Sequence, residues 1–217
     1  MKRTLLLAAA LLLAASAFAQ GAYNYQRRSL FEQLPVRRCD VVFLGNSITD
    51  GCEWSELFGR RRVLNRGISG DRADWLLGRL DPILAGRPRK LFLMIGVNDL
   101  AAGRTPREVA ADVAALLDRF AAASPRTRIY VQSILPVNDR DIPGASWGHW
   151  KRKAEIAETN RLVEALCRGR RGVVYVDLAS RLADATGLLD KRYTNDGLHL
   201  TGEGYLVWRD AVAPYIR

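Results

Sequence analysis

Five short polar clusters carry the residues that could do chemistry: "GNSITDG" (45–51), "NRGISGD" (65–71), "GVND" (96–99), "SILPVN" (133–138) and "YTNDGLHL" (193–200). Together they offer a serine hydroxyl at Ser47, an imidazole at His199 with a carboxylate three residues before it at Asp196, an unobstructed backbone N–H at Gly70 and a side-chain amide at Asn98. Acyl transfer through a serine needs this combination. It requires a nucleophile, a base to take its proton, a group to orient the base, and donors for the oxyanion of the tetrahedral intermediate. The D-x-x-H spacing lets a carboxylate fold back onto one ring nitrogen while the other faces a hydroxyl, fixing the tautomer. Ser47 N–H, Gly70 N–H and the Asn98 amide would supply the oxyanion donors.

Each of these residues also has a plain structural explanation. Ser47 or Thr49 could cap a helix. Asp196-Gly197 reads as an ordinary turn, Asn98 as an Asx-turn, and Gly70 as the glycine before a helix. His149 has no carboxylate at a useful spacing and reads as a pocket or surface residue. Trp147 and Trp150 lie in the longest irregular stretch, Asn138–Trp150, where they could stack on a sugar ring or pack down as a lid. The case for a site rests on all the clusters falling where one fold would bring them together.

That fold is legible in the apolar runs. Val41–Leu44, Arg62–Leu64, Leu91–Ile95, Ile129–Ile134 and Val173–Val176 are short and lack in/out alternation, as strands buried on both faces do. Helical patterns separate them, at about 50–59, 72–85, 105–122, 150–168, 178–186 and 202–216, and "RRSLFEQL" forms a further short helix before the first strand. Alternating β and α elements imply a single α/β domain, a three-layer α/β/α sandwich around a parallel sheet of about five strands. Ligands of such sheets bind at the carboxyl ends of the strands, and the first four clusters follow the first four apolar runs directly. A nearby channel for a long acyl chain is not apparent, and bulky Ile48, Leu100 and Ile134 are expected to wall the nucleophile's surroundings, which favours a short acyl group.

The chain has 217 residues. Residues 1–19 begin "MKR", run apolar through Leu5–Leu13 and close on Ala17-Phe18-Ala19, the pattern of a secretory signal peptide. The stretch is too short for a membrane anchor. Export to the periplasm or the extracellular space is expected, without stable membrane insertion, leaving residues 20–217 as the mature domain. The formal charge is +10, with 33 basic residues. They are scattered along the chain and read as a solvated surface, so no nucleic-acid partner is expected. Cys39, Cys52 and Cys167 have neither metal-site spacing nor reach for a Cys39–Cys52 disulfide across the first strand, and read as structural thiols.

"GNSIT", "SGD", "GVND" and "DGLH", taken in order, resemble the four blocks of the GDSL/SGNH hydrolases, in which Ser47, Gly70, Asn98 and His199 match the Ser, Gly, Asn and His of the name. The likeness runs from about Val41 to Ile216. "VVFLGNSIT", "NRGISGD" and "GVND" are most similar to the platelet-activating-factor acetylhydrolase-like branch. The resemblance implies a flavodoxin-like sheet and ester hydrolysis with no cofactor and no metal. It further implies a triad of Ser47, Asp196 and His199, with an oxyanion hole of Ser47, Gly70 and Asn98. Asn46 stands where the family name has Asp, and Ile48 where it has Leu. Gly67 also lies in the second block, but Gly70 abuts Asp71 as the block requires. Small-molecule or glycan esters, acetylated sialic acids among them, are one substrate class, and small acetyl esters or lysophospholipids another. A non-catalytic carbohydrate-binding relative would be expected to lack part of the set, and none is missing. A flavodoxin-type cofactor binder would need more Ser/Thr after the first strand than "GNSITDG" supplies.

Overall fold

A computed structural model describes residues 21–143, 145 and 148–216. The leader reading over residues 1–19 therefore lies outside the described residues, as does Trp147. Helix α1 spans residues 21–33. Five strands follow, β1 (Val41–Gly45), β2 (Val63–Gly67), β3 (Lys90–Met94), β4 (Arg128–Gln132) and β5 (Val173–Val176), all parallel in the order β2-β1-β3-β4-β5. This is the flavodoxin-like order, with its switch point between β1 and β3. The expected three-layer α/β/α sandwich is present, with helices around a five-stranded parallel sheet.

β1 and β3 are buried along their whole length, which accounts for their apolar sequence after Lys90 opens β3. Register places Phe43 beside Phe92 and Phe92 beside Tyr130, so one face of the sheet carries a cross-strand aromatic row with ring centroids 4.7 Å apart at each step. Helices α3 (Trp54–Leu57) and α10 (Gly202–Ile216) cover that row. Trp54 stacks on Phe43 at 3.9 Å, and Trp208 meets Trp54 edge-on at 4.8 Å. Trp208 also donates its indole N–H to Gln132 Oε1 at 2.6 Å, so this buried ring has a partner for its polar edge. In the helical layers, α7 (Pro106–Ala123) packs against α4 (Ala73–Leu77), α5 (Asp81–Gly86) and α8 (Lys153–Cys167). A Thr105/Glu108 capping box and Pro106 start α7 where the sequence places it.

Two expected helices are each split. The stretch expected at 50–59 is α2 (Ser47–Asp50) and α3, and that at 72–85 is α4 and α5, interrupted after Gly78 and restarted at Asp81-Pro82. β2 runs past its apolar residues because Asn65 and Arg66 find partners in place: Asn65 donates to Asp50 O and Cys52 O, and Arg66 lies over the Phe31 ring at 4.7 Å. Cys39, Cys52 and Cys167 are free thiols. Among the described residues, no helix is long and apolar enough to cross a membrane.

Candidate active site

The chain leaves β1 at Gly45 and enters α2 with a single residue between, which sets Ser47 at the first helical position on the carboxyl rim of the sheet. The capping role falls to Asn46, whose Oδ1 accepts from Ile48 N at 3.1 Å. Thr49 is buried. With the cap supplied by its neighbour, the Ser47 hydroxyl points elsewhere: it lies 2.9 Å from His199 Nε2. Asn46 thus caps the helix as an aspartate there could, and leaves the serine available.

His199 precedes α10, and its other ring nitrogen, Nδ1, lies 2.6 Å from Asp196 Oδ2. The second oxygen of Asp196 accepts from Leu198 N at 2.9 Å and His199 N at 2.8 Å, so the carboxylate is held at both ends. Burial opposes its ionisation, but the hydrogen bonds from the His199 ring and from the two backbone N–H groups outweigh it and hold the Asp196 carboxyl below its ordinary value. A carboxylate anchored this way selects the tautomer with hydrogen on Nδ1, leaving Nε2 as acceptor toward Ser47.

Three contacts place this loop. Gly197 has φ +82°, and an added Cβ would stand 2.4 Å from Asp139 N, so both conformation and space require glycine there. Asn138 N donates to Gly197 O at 2.8 Å. On the far side, Tyr205 of α10 donates its hydroxyl to Ile48 O at 2.8 Å, tying the helix after His199 to the helix that begins with Ser47.

Of the second and third clusters, Ser69 lines the depression beside Ser47, and Gly70 and Asn98 lie on the loops behind it. Gly70 has φ +80°, a left-handed conformation for which glycine is suited, and carries no side chain to cover its N–H. Gly67 N–H already donates to Asn65 Oδ1 at 2.8 Å, which leaves Gly70 as the donor to be preferred. Asn98, in α6 (Val97–Ala101), donates one amide hydrogen to Asp71 O at 2.9 Å, joining its loop to the residue after Gly70. An amide carries two hydrogens, so the other remains for an oxyanion. The two loops are bound again where Asp99, fully buried, accepts from Ala73 N at 3.0 Å and from Arg104 at 2.9 Å. Beneath them Arg79 donates to Asp71 Oδ2 at 2.7 Å and to the carbonyls of Gly45 and Arg66. Burial pulls the Asp71 carboxyl up and the Arg79 guanidinium down from their ordinary values, and the pairing opposes both shifts.

An open depression at Ser47 and His199 is completed by Tyr23, Asp50, Gly51 and Ser69. Tyr23 and Asn24 of α1 reach this rim: Tyr23 donates to Asp50 Oδ2 at 2.5 Å, and Asn24 to Asp71 Oδ1 at 2.7 Å. No sequence pattern connects α1 with the clusters. Asp50 stands inside "GNSITDG" and was legible as polar, though not as the anchor of α1.

Other expectations need correction. Ile48, Leu100 and Ile134 do not wall the depression, since all three are buried in the core. Trp150 is packed against the core, with Arg140 and Lys151 each 5.9 Å from its ring centroid, and does not line the depression. His149 is buried and has a carboxylate close by, because Asp139 accepts from His149 N at 3.0 Å and from Trp150 N at 2.8 Å. Burial lowers its pKa, and it stands within electrostatic reach of Asp196 and His199.

A hydroxyl, an imidazole and a carboxylate aligned on the carboxyl rim of a parallel sheet form an arrangement able to hydrolyse an ester through a serine. Residues 43–207 match the GDSL-like Lipase/Acylhydrolase family, and the chain belongs to it; it is a hydrolase of carboxylic esters. The chain is 27% identical over 172 residues to the human platelet-activating factor acetylhydrolase IB subunit alpha1, covering 76% of this chain and 70% of that one. A Streptococcus pneumonia structure described as a platelet activating factor superposes with a TM-score of 0.88 at 29% identity, over 96% of this chain and 99% of that chain. An acetylxylan esterase from Geobacillus stearothermophilus shares the fold, with a TM-score of 0.65 at 18% identity, over 83% and 95% of the two chains.

Proposed function

We propose that this chain is an exported esterase that removes acetyl groups from carbohydrate esters through a Ser47–His199–Asp196 triad. The observation that carries the reading is the continuous line from Asp196 Oδ2 to His199 Nδ1 at 2.6 Å and from His199 Nε2 to Ser47 Oγ at 2.9 Å. Ser47 Oγ attacks the ester carbonyl carbon while His199 Nε2 takes its proton. The resulting oxyanion is met by Ser47 N–H, Gly70 N–H and the Asn98 amide. Collapse of the intermediate expels the alcohol, which leaves with the proton from His199. Water, deprotonated by the same imidazole, then releases acetate and restores Ser47.

Two features support a polar alcohol. The depression is open and rimmed by Tyr23, Asp50 and Ser69, so a bulky hydroxylic group can approach from solvent. The acetylxylan esterase among the structural neighbours acts on such a substrate within the same fold. A lysophospholipid or other short-chain lipid ester is the second reading, favoured by the similarity to platelet-activating factor acetylhydrolase subunits. The leader-like residues 1–19 support export. The deciding experiment is acetate release measured across acetylated xylo-oligosaccharides, acetylated sialic acids and 2-acetyl lysophospholipids. Turnover of the sugars above the lipids is expected, and the reverse order would replace the first reading with the second.

A further inference from the structure

The basic residues that are scattered along the sequence are gathered by the fold. In a parallel sheet every strand is entered from the same end, and each of the five entries here is basic: "PVRRCD" (35–40) leads into β1, "GRRR" (59–62) into β2, "RPRK" (87–90) into β3, "SPRTR" (124–128) into β4 and "RGRRG" (168–172) into β5. These stretches hold 13 of the chain's 33 basic residues and only one of its 23 acidic ones, Asp40. The register aligns their ends, since Val41 pairs with both Val63 and Lys90, and Lys90 with Arg128. Five strands about 4.8 Å apart make this a row about 20 Å long.

Arg38, Arg60, Arg61, Arg87, Arg89 and Arg126 are exposed along it. None of them lies within 4 Å of a carboxylate among the described residues, whereas Arg62, Arg168 and Arg170 do have such partners. Two depressions open on this edge, one lined by Arg38, Arg87, Arg89 and Arg126, the other by Arg60, Arg61 and Arg62. Helix ends explain part of the enrichment, because α5, α7 and α8 finish here and a cation favours a helix carboxyl end. The stretch "GRRR", however, follows a helix of only four residues.

We infer that this edge adsorbs the protein to an anionic lipid bilayer, with the phosphates of the headgroups against the arginine row. Polybasic clusters bind such surfaces without insertion, and long, exposed arginine side chains in a row at one end of a sheet can reach a plane of phosphates. The five stretches contain no aromatic side chain on which a nucleic-acid base could stack. Adsorption by this edge would turn the carboxyl rim, with Ser47, away from the bilayer, so that the esters within reach are those of the surrounding solution or matrix.

The test is sedimentation of the full chain with vesicles of phosphatidylcholine alone and of phosphatidylcholine mixed with phosphatidylglycerol, at low and high salt. The comparison protein combines Arg60→Gln, Arg61→Gln, Arg87→Gln and Arg126→Gln. Binding to the mixed vesicles only, weakened by salt, is expected. The variant should bind about fivefold more weakly per arginine, on the order of several hundredfold in all, while hydrolysing p-nitrophenyl acetate at the unaltered rate. Equal binding to both vesicles, or unchanged binding by the variant, would overturn the inference. Tight binding of polyphosphate or short duplex DNA without vesicle binding would also overturn it and assign the edge to a soluble polyanion. Neither result bears on the esterase reading, which the hydrolysis rate reports separately.

Discussion

The two ends of the sheet are built by the same strands and use charge in opposite ways. At the carboxyl end, the connections 46–53, 68–72, 95–105 and 133–148 carry six acidic and three basic residues. The charges nearest the sheet are drawn inward: the side chains of Asp71 and Arg79 are 0% and 6% exposed, and Asp99 is fully buried against Arg104, while Glu53 and Arg140 face solvent. At the amino end the arginines face solvent. Charge at the first end fixes geometry, because a buried carboxylate must be paired and so dictates where its partner loop lies. Charge at the second end makes a field that acts on whatever approaches. A substitution at the carboxyl end should therefore disturb chemistry or folding, and one at the amino end only association.

The largest break in that comparison is expected at the nucleophile. Ser47→Ala should retain the native melting transition and lose esterase activity by about 10⁴-fold or more, as removal of a triad nucleophile does. The measurement is p-nitrophenyl acetate hydrolysis beside a thermal melt. A rate within tenfold of wild type would remove Ser47 from the mechanism. A serine-directed fluorophosphonate should label Ser47 alone, and labelling at another serine would have the same consequence.

Next in size is the buried pair under the Gly70 and Asn98 loops. Arg79→Met leaves the Asp71 carboxylate buried without its cation and removes a donor from the carbonyls of Gly45 and Arg66. Breaking a buried pair from one side costs about 3–5 kcal/mol, so denaturant midpoints should fall markedly. Exposed Arg126, treated the same way, should shift stability by less than about 0.5 kcal/mol. Similar losses at the two positions would erase the distinction between the ends.

Asn98→Ala tests the same loops by their chemistry. One amide hydrogen serves Asp71 O, and the other is assigned to the oxyanion, which exists only during reaction. The kcat should fall by about 10²–10³ with KM little changed. A change confined to KM would make Asn98 a substrate-binding group. Some loss of stability is expected as well, on the order of 1 kcal/mol, from the lost bond to Asp71 O.

How much of this was legible in the sequence differs between the two ends for a physical reason. Ser47, Asp196 and His199 could be read because each stands immediately after an apolar run or in a D-x-x-H turn, where local spacing determines which way a side chain can face. The sheet was legible for the same reason, each strand being short and containing an apolar run. The arginine row was not, because its members lie tens of residues apart and meet only through the parallel register. Tyr23 and Asn24 reach the rim by docking of α1, which no periodicity within 21–33 announces. Ile48, Leu100 and Ile134 misled in the opposite sense. They are neighbours of site residues along the chain, but a helix or a strand end turns successive side chains in different directions, and theirs enter the core.

That last correction leaves the acyl preference resting on the shape of the rim alone, and the smallest effect is expected there. Around Ser47 the depression is lined by Tyr23, Asp50, Gly51, Ser69 and His199, of which only Tyr23 offers a broad apolar surface, and its hydroxyl is committed to Asp50. A pocket that sheltered a growing acyl chain would gain roughly 0.8 kcal/mol, about fourfold in kcat/KM, for each methylene buried. Here the added methylenes stay in water and bring no such gain, while a longer chain lying over Asp50 and Ser69 would displace water from their polar groups. Across p-nitrophenyl esters from acetyl to dodecanoyl, kcat/KM should be greatest at acetyl and decline gradually toward octanoyl. A maximum at octanoyl or beyond would show that an apolar channel forms when substrate binds. It would move the proposed substrate from acetylated sugars to lipid esters, and would make the carboxyl end, rather than the arginine edge, the part of the molecule that meets a membrane.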